Sequence, residues 1–91
     1  MNDWHYTVLK PAERYLKRIQ PKSRQRIFEE LDKLLRAPTQ VDFKKLKGRS
    51  GYRLKVGDYR VLIEIKREER LFVIRHVRKF ESKSVTAFDF C

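Results

Sequence analysis

The sequence predicts a small α+β domain in which a helical hairpin packs on one face of an antiparallel sheet. Residues 11–37 carry apolar side chains at helical spacing, whereas residues 51–65 and 71–79 alternate or run apolar as strands do. The chain of 91 residues is 41% apolar with only three Gly and three Pro, which suits one modest core. We therefore expect a single domain, residues 1–91, with the element order β-α-α-β-β-β.

The first part of the chain is predicted to form one strand and two helices. The stretch "WHYTVL", residues 4–9, is aromatic and β-branched, and its alternation puts Trp4 and Tyr6 together on the inward face. The first helix ends before Pro21, which starts the second helix, and Pro38 ends the second. The apolar stripes of the two helices consist of Ala12, Tyr15, Leu16, Ile19, Ile27, Phe28, Leu31, Leu34 and Leu35.

The rest of the chain is predicted to be a polar connection, residues 39–50, followed by a three-stranded meander. Its hairpin lies within "GYRLKVGDYRVLIEI", residues 51–65, and its third strand is "LFVIRHVRK", residues 71–79. Four consecutive apolar residues in the third strand indicate burial on both faces, as in a central strand. The tail, residues 80–91, fits a short helix or an extension of the strand, and the sequence does not choose between them.

The predicted hairpin puts cationic side chains directly opposite each other. A two-residue loop, Gly57-Asp58, pairs Lys55 with Arg60. Alternation then turns the apolar residues of both strands toward the helices and the cations toward the uncovered face. Like charges opposed across a strand pair destabilise it. The cluster therefore indicates a partner that relieves the repulsion, and phosphate groups would do so.

The same alternation extends the cationic face onto the third strand. If the inner apolar residues of that strand point at the helices, Arg75 and Lys79 fall on the open face. Val77 joins them there, whereas His76 falls on the helix side. The alternative is a set of ordinary exposed ion pairs, because Glu64 shares the open face with the arginines. The predicted cationic face consists of Arg53, Lys55, Arg60, Arg75 and Lys79.

Net charge points to a polyanionic partner. Twenty-three Lys and Arg against twelve Asp and Glu leave a formal charge of +11, which favours contact with nucleic acid. The alternative is a basic structural protein whose charges are simply solvated. Further basic residues lie on the predicted helices: Lys17, Arg18, Lys22, Arg24 and Arg26.

Nothing in the sequence predicts a metal site, a cofactor or a membrane segment. The two histidines, His5 and His76, lie far apart without clustered ligands, and there is no glycine-rich phosphate loop. The sole cysteine is Cys91, so no intramolecular disulfide can form, and no apolar run reaches 18 residues. We expect a cytoplasmic protein that needs no cofactor.

The block "LKGRSGYRLKVGDYRVLIEI", followed by "LFVIRHVRK", resembles the RelE/ParE superfamily of toxins. In that superfamily a similar block follows a helical hairpin in the same element order, and the resemblance spans the whole chain. RelE-like members are ribosome-dependent messenger-RNA endonucleases that are neutralised by an antitoxin encoded beside them. The resemblance therefore implies a metal-independent endoribonuclease toxin of a type II toxin–antitoxin system. Its partners would be a cognate antitoxin, the ribosome and messenger RNA.

The resemblance also implies roles for particular residues. Carried over by position, the catalytic basic residues fall on Arg53, Lys55, Arg60 and Lys79. Lys55, crowded by arginines that disfavour its charged form, would take the proton of the attacking 2′-OH. The arginines would stabilise the phosphorane, and Lys79 or Arg78 would face the leaving oxygen. The expected RNA-binding residues are Arg75, Arg78, Lys44, Lys45, Lys47 and Arg49.

Two other functions stay open at this point. A ParE-like member would block DNA gyrase by binding, without nuclease chemistry, and a plain basic RNA-binding protein would not be toxic. The concentration of Arg53, Lys55 and Arg60 favours the nuclease, because the gyrase-directed branch lacks it. The family's tail tyrosine, which is replaced here by Val85, favours the gyrase-directed branch instead.

Overall fold

The computed structural model describes residues 3–48 and 50–79, so predictions that concern Arg49 and the tail lie outside the described residues. Within this part the chain forms five strands, two α-helices and two short 3-10 helices. The elements in chain order are β1 (His5–Val8), α1 (Lys10–Arg18), α2 (Pro21–Arg36), a 3-10 helix (Pro38–Gln40), β2 (Asp42–Lys45), β3 (Tyr52–Val56), β4 (Tyr59–Lys66), a 3-10 helix (Arg67–Glu69) and β5 (Leu71–Lys79).

The strands form one sheet in the order β1-β5-β4-β3-β2, with the two helices packed on one face. The predicted α+β class and the helical hairpin on one face are confirmed. The sheet is mixed, however, because β1 pairs parallel with β5 while all other neighbours are antiparallel. Prediction of a wholly antiparallel sheet was wrong at this edge, where the chain leaves along β1 and returns in the same direction along β5.

A strand also lies where the sequence predicted a polar connection. Residues Asp42–Lys45 form β2, which pairs antiparallel with β3 and makes one edge of the sheet. Its sequence, DFKK, has a single apolar residue and three charges, a composition that natural sheets use to protect edge strands from pairing with other chains. Phe43 supplies the inward contact and stacks on Tyr52 with ring centroids 5.0 Å apart.

The hairpin β3–β4 has the predicted register. Lys55 pairs with Arg60 and Leu54 with Val61 across the two-residue loop. Gly57 has a φ of +58° while Asp58 does not have a positive φ, which is the pattern of a type II′ turn. The turn is also crowded, because a Cβ at position 57 would lie 3.2 Å from the guanidinium of Arg26 on α2. Glycine is therefore required here on two counts.

The core lies between the helices and the inward face of the sheet. Its buried residues are Ala12, Leu16, Ile27, Leu31, Leu34, Leu54, Val56, Val61, Ile63, Phe72, Ile74 and Val77. The helix stripes predicted from the sequence supply the first five. Trp4 also packs here, with its ring centroid 5.0 Å from that of Phe72, so the predicted inward face of β1 is confirmed.

Leu54→Ala is expected to lower the free energy of unfolding by about 2–5 kcal/mol, because Leu54 is fully buried at the centre of this core. The matched control is Leu9→Ala, since the Leu9 side chain is 37% exposed and its loss should change stability by about 0.5 kcal/mol or less. Chemical denaturation of both variants measures the difference. Similar midpoints for the two would contradict this description of the core.

One irregularity determines which side chains of β5 reach the open face. Leu62 pairs with His76 but Ile63 pairs with Ile74, so Arg75 is an extra residue on β5 and forms a β-bulge. Beyond the bulge the alternation is shifted by one residue. Val77 pairs with Val61 and is buried on the helix side, and Arg78 pairs with Arg60. Simple alternation had predicted the reverse for this end of the strand.

Candidate nucleic-acid interface on the open sheet face

The open face of the sheet carries two transverse rows of side chains, each crossing four strands. The first row, which we call the charged row, is Asp42, Lys55, Arg60 and Arg78. The second row, which we call the Leu62 row, is Lys44, Arg53, Leu62 and His76. Neighbouring strands are about 4.8 Å apart and same-face residues about 7 Å apart along a strand, so both rows fit within reach of one dinucleotide.

Arg60 is held in place by the turn beside it. Its Nη1 donates hydrogen bonds to the carbonyl oxygens of Gly57 at 3.0 Å and Tyr59 at 3.1 Å. Burial lowers the pKa of Arg60 and the neighbouring Arg53 lowers it further, against the carboxylates of Asp42 and Asp58. An arginine nevertheless stays protonated near neutral pH. Arg60 is therefore a fixed cation in the middle of the charged row.

Asp42 brings a carboxylate to the end of the charged row. It pairs across the strands with Lys55, and its Oδ1 lies 3.7 Å from Nη2 of Arg53. This oxygen is buried and makes no hydrogen bond, so its interaction with Arg53 is a charge contact. The sequence analysis missed Asp42 because it assigned these residues to a connection. The charge and the single inward Phe43 were the signals of an edge strand.

The β5 side of the face differs from the prediction in three residues. Lys79 pairs with Tyr59, a helix-side residue, so its predicted position on the open face was wrong. Val77 is buried in the core rather than open. His76, predicted on the helix side, pairs with Leu62 and is exposed on the open face. The bulge at Arg75 accounts for all three, since one extra residue reverses the alternation that follows it.

Arg75 lies on the open face as predicted. Its Nη1 donates to Oε1 of Glu64 at 3.0 Å, which is the ion pair that the sequence offered as the alternative for this residue. Both side chains are about half exposed, so the pair adds little to stability. Arg53 pairs with Asp42 instead of Glu64. The β4–β5 half of the face thus keeps one cation compensated by its own carboxylate.

The other predicted RNA-binding residues are distributed over both faces. Lys44 lies in the Leu62 row, opposite Arg53, whereas Lys45 pairs with Tyr52 on the helix side. Lys47 is exposed beyond the end of β2. On the helices, Arg24 donates from Nη1 to the carbonyl oxygen of Leu16 at 3.0 Å and so links α1 to α2.

A groove with a volume of about 1050 Å³ runs along β5 from the open face to the N-terminus of α1. On the open face it is lined by Leu62, Glu64, His76 and Arg78. At its other end lies Tyr15, toward whose hydroxyl the backbone N–H of Lys79 is directed. Burial raises the pKa of Tyr15, so the phenol is neutral near pH 7.

Within residues 3–48 and 50–79, no three potential metal ligands of the His, Cys, Asp or Glu types form a group. No helix in this part of the chain is both long and apolar enough to cross a membrane. The chemistry that the described face offers is therefore that of cations, one imidazole and two carboxylates around an apolar floor.

Comparison with known proteins gives the family. The model of the "ParE toxin of type II toxin-antitoxin system, parDE" matches residues 6–81. The chain therefore belongs to this family, and the resemblance to the RelE/ParE superfamily is confirmed. It is a toxin of a type II toxin–antitoxin system. Among curated proteins none is similar enough in sequence to be matched.

Solved structures of RelE toxins share the fold. The RelBE2 toxin–antitoxin complex of Mycobacterium tuberculosis is 25% identical, with 85% of this chain and 98% of that chain covered at a TM-score of 0.74. The RelB–RelE complex of Methanococcus jannaschii is 26% identical, with 89% and 95% covered at 0.68. The isolated RelE toxin of E. coli is 20% identical, with 86% and 85% covered at 0.73, and this likeness concerns the fold alone.

Proposed function

We propose that this toxin is a ribosome-dependent endoribonuclease that cleaves messenger RNA at the open sheet face. The observation that carries the proposal is the charged row, in which Lys55, Arg60 and Arg78 stand side by side on three adjacent strands. Three aligned cations repel one another in the absence of a ligand. A phosphodiester with its developing negative charge would relieve that repulsion most in the transition state, which is where binding energy accelerates a reaction.

The proposed reaction needs no metal. The 2′ oxygen attacks the adjacent phosphorus as its proton leaves, the bond from phosphorus to the 5′ oxygen breaks, and the 5′ oxygen takes up a proton. The products are a 2′,3′-cyclic phosphate and a 5′-OH. Lys55 stands beside the 2′-OH as the candidate base, and Arg53 and Arg60 donate to the phosphorane oxygens.

Arg78 takes the position that the sequence analysis gave to Lys79. It pairs with Arg60 across the open face, whereas Lys79 pairs with Tyr59. We assign to Arg78 the contact with the phosphate on the leaving-group side. Its guanidinium keeps its proton, so it stabilises charge and does not act as an acid. Lys44 and Arg75, at the margins of the rows, would bind the flanking phosphates of the message.

The ribosome would supply the geometry that the side chains lack. Lysine and arginine are poor proton-transfer groups near pH 7, so the face alone has little catalytic power toward free RNA. A ribosome that holds the message in an in-line geometry would provide the missing orientation. Exposed cations on the helices, such as Lys17, Lys22 and Arg26, would bind ribosomal RNA with an affinity that falls steeply as salt rises.

The second candidate function is inhibition of DNA gyrase. It is favoured by the family model, which is that of ParE toxins, while the solved structures that share the fold are RelE toxins. The charged row decides our choice, since a toxin that only binds another protein has no need to oppose cations across strands.

A cognate antitoxin is the partner that membership of the family implies, and the similar structures include toxin–antitoxin complexes. We propose that it carries acidic and apolar residues on a segment that folds on binding, because a chain with a charge of +11 requires a complementary surface. Such a segment would cover the charged row and prevent access of RNA.

Induced expression followed by mapping of the 5′ ends of cellular transcripts tests the nuclease. We expect new 5′ ends inside coding regions within minutes of induction. The same extracts, assayed for supercoiling by gyrase, should show no loss of activity. Unchanged transcripts together with inhibited supercoiling would establish the gyrase-directed function instead.

A further inference from the structure

We propose that His76 is the general acid that protonates the leaving 5′ oxygen. The inference rests on the proposed nuclease function and names a residue that the family pattern does not assign. It starts from the β-bulge at Arg75, which turns His76 out of the core and onto the open face, opposite Leu62. His76 is exposed there and lines the groove together with Arg78.

The leaving-group side of the face otherwise lacks a proton donor. Among the described residues of β5, the open-face side chains after the bulge begins are Arg75, His76 and Arg78. A guanidinium does not release its proton in this pH range, and Lys79 is turned to the other face of the sheet. Imidazole is the one ordinary side chain that changes charge between pH 5 and 8, so His76 is suited to the task.

The position of His76 also suits the task. It lies two residues from Arg78 on the same strand and face, a separation of about 7 Å between Cα atoms. A diagonal neighbour on β4 is Arg60, at a similar distance. A phosphate held by Arg60 and Arg78 would therefore have its β5-side oxygen within reach of the imidazole. Arg53 and Lys55 lie on the far side of that phosphate, where the attacking 2′ oxygen belongs.

The step balances without a further reactant. The imidazolium N–H transfers its proton to the 5′ oxygen as the bond from phosphorus to that oxygen breaks, which leaves neutral imidazole and a 5′-OH. The proton of the 2′-OH has meanwhile passed to the base, and solvent returns a proton to the imidazole before the next turnover.

The charges around the imidazole have both signs. The titratable and charged groups that face it or share its groove are Arg75 and Arg78 on β5, Arg60 and Glu64 on β4, Arg53 on β3, and Tyr15 on α1. Glu64 is engaged by Arg75 at 3.0 Å. A bound phosphodiester would add negative charge beside the ring and favour the imidazolium that the acid role requires.

The experiment uses programmed ribosomes and two messages that differ in one atom. In the second message, sulfur replaces the 5′ oxygen at the mapped cleavage site. A thiolate leaves without being protonated, because a thiol is far more acidic than an alcohol, so general acid catalysis is no longer needed. The variant is His76→Gln, which removes proton transfer from an exposed position without creating a cavity. The control is His5→Gln, at the other exposed histidine, near the opposite end of the sheet.

We expect His76→Gln to cleave the ordinary message about 10²–10⁴-fold more slowly than the wild type. On the sulfur message it should stay within about tenfold of the wild type, since a leaving group that needs no proton bypasses the acid. The wild-type rate on the ordinary message should fall as pH rises through the imidazole range, and His76→Gln should lose that fall. His5→Gln should match the wild type on both messages.

Two results would overturn the assignment while leaving the nuclease standing. One is a His76→Gln variant that cleaves the ordinary message at the wild-type rate. The other is an equal loss on both messages, which would mean that His76 binds or positions RNA. If the wild-type protein cleaves neither message, the proposed function itself fails, and the role of His76 falls with it.

Discussion

Replacing Lys55 or Arg60 with alanine is expected to abolish growth arrest while the protein stays folded. Each belongs to the charged row, and removal of one such donor from a transition-state site costs about 10²–10³-fold in rate. Lys55 is exposed, and Arg60 packs only against its own turn, so neither change opens a cavity in the core. Colony formation after induction, with the protein level checked by immunoblot, measures the effect.

Lys45→Ala is the matched control for Lys55→Ala. Both are exposed strand lysines of adjacent strands, but Lys45 pairs with Tyr52 on the opposite side of the sheet. It should remain toxic, and all three variants should unfold within about 0.5–1 kcal/mol of the wild type. Full toxicity of Lys55→Ala and Arg60→Ala at matched levels would show that the charged row does not carry the activity.

Deletion of Arg75 is expected to damage both stability and activity. Without the bulge, regular alternation would turn Val77 out of the core and press His76 and Arg78 toward the helices. Loss of a buried valine, with polar groups moved inward in its place, should cost about 2–4 kcal/mol. Thermal and urea unfolding measure this cost.

Arg75→Ala separates the bulge from the side chain that occupies it. The substitution removes the ion pair with Glu64 but keeps the chain length and therefore the bulge. Since that pair is half exposed, stability should change by about 1 kcal/mol or less. If the deletion proves as mild as the substitution, the strand does not depend on the bulge for its register.

The helices and the hairpin could be predicted because their signals are local. Prolines mark the helix boundaries at Pro21 and Pro38, and the Gly57-Asp58 turn fixes the register of β3 and β4. Strand β2 escaped because an edge strand needs only one inward side chain, here Phe43. Its charged neighbours read as a loop when the pairing partner is not known.

The candidate site could be predicted on β3 and β4 but only in part on β5. Alternation carries the cationic face correctly as far as Arg75, and one inserted residue then reverses it, which exchanges Lys79 for Arg78 and brings out His76. A signal was present, since the buried residues Ile74 and Val77 are three apart instead of two. Asp42 could not be placed in the charged row until β2 was known.

The proposed activity is tested most directly by one transcript in two tubes, with purified toxin present in both and programmed ribosomes in one. We expect discrete cuts with 2′,3′-cyclic phosphate ends in the tube that contains ribosomes, and little cleavage in the other. Equal cleavage in both tubes would remove the ribosome from the mechanism. Intact transcript in both would contradict the nuclease and leave DNA gyrase as the target.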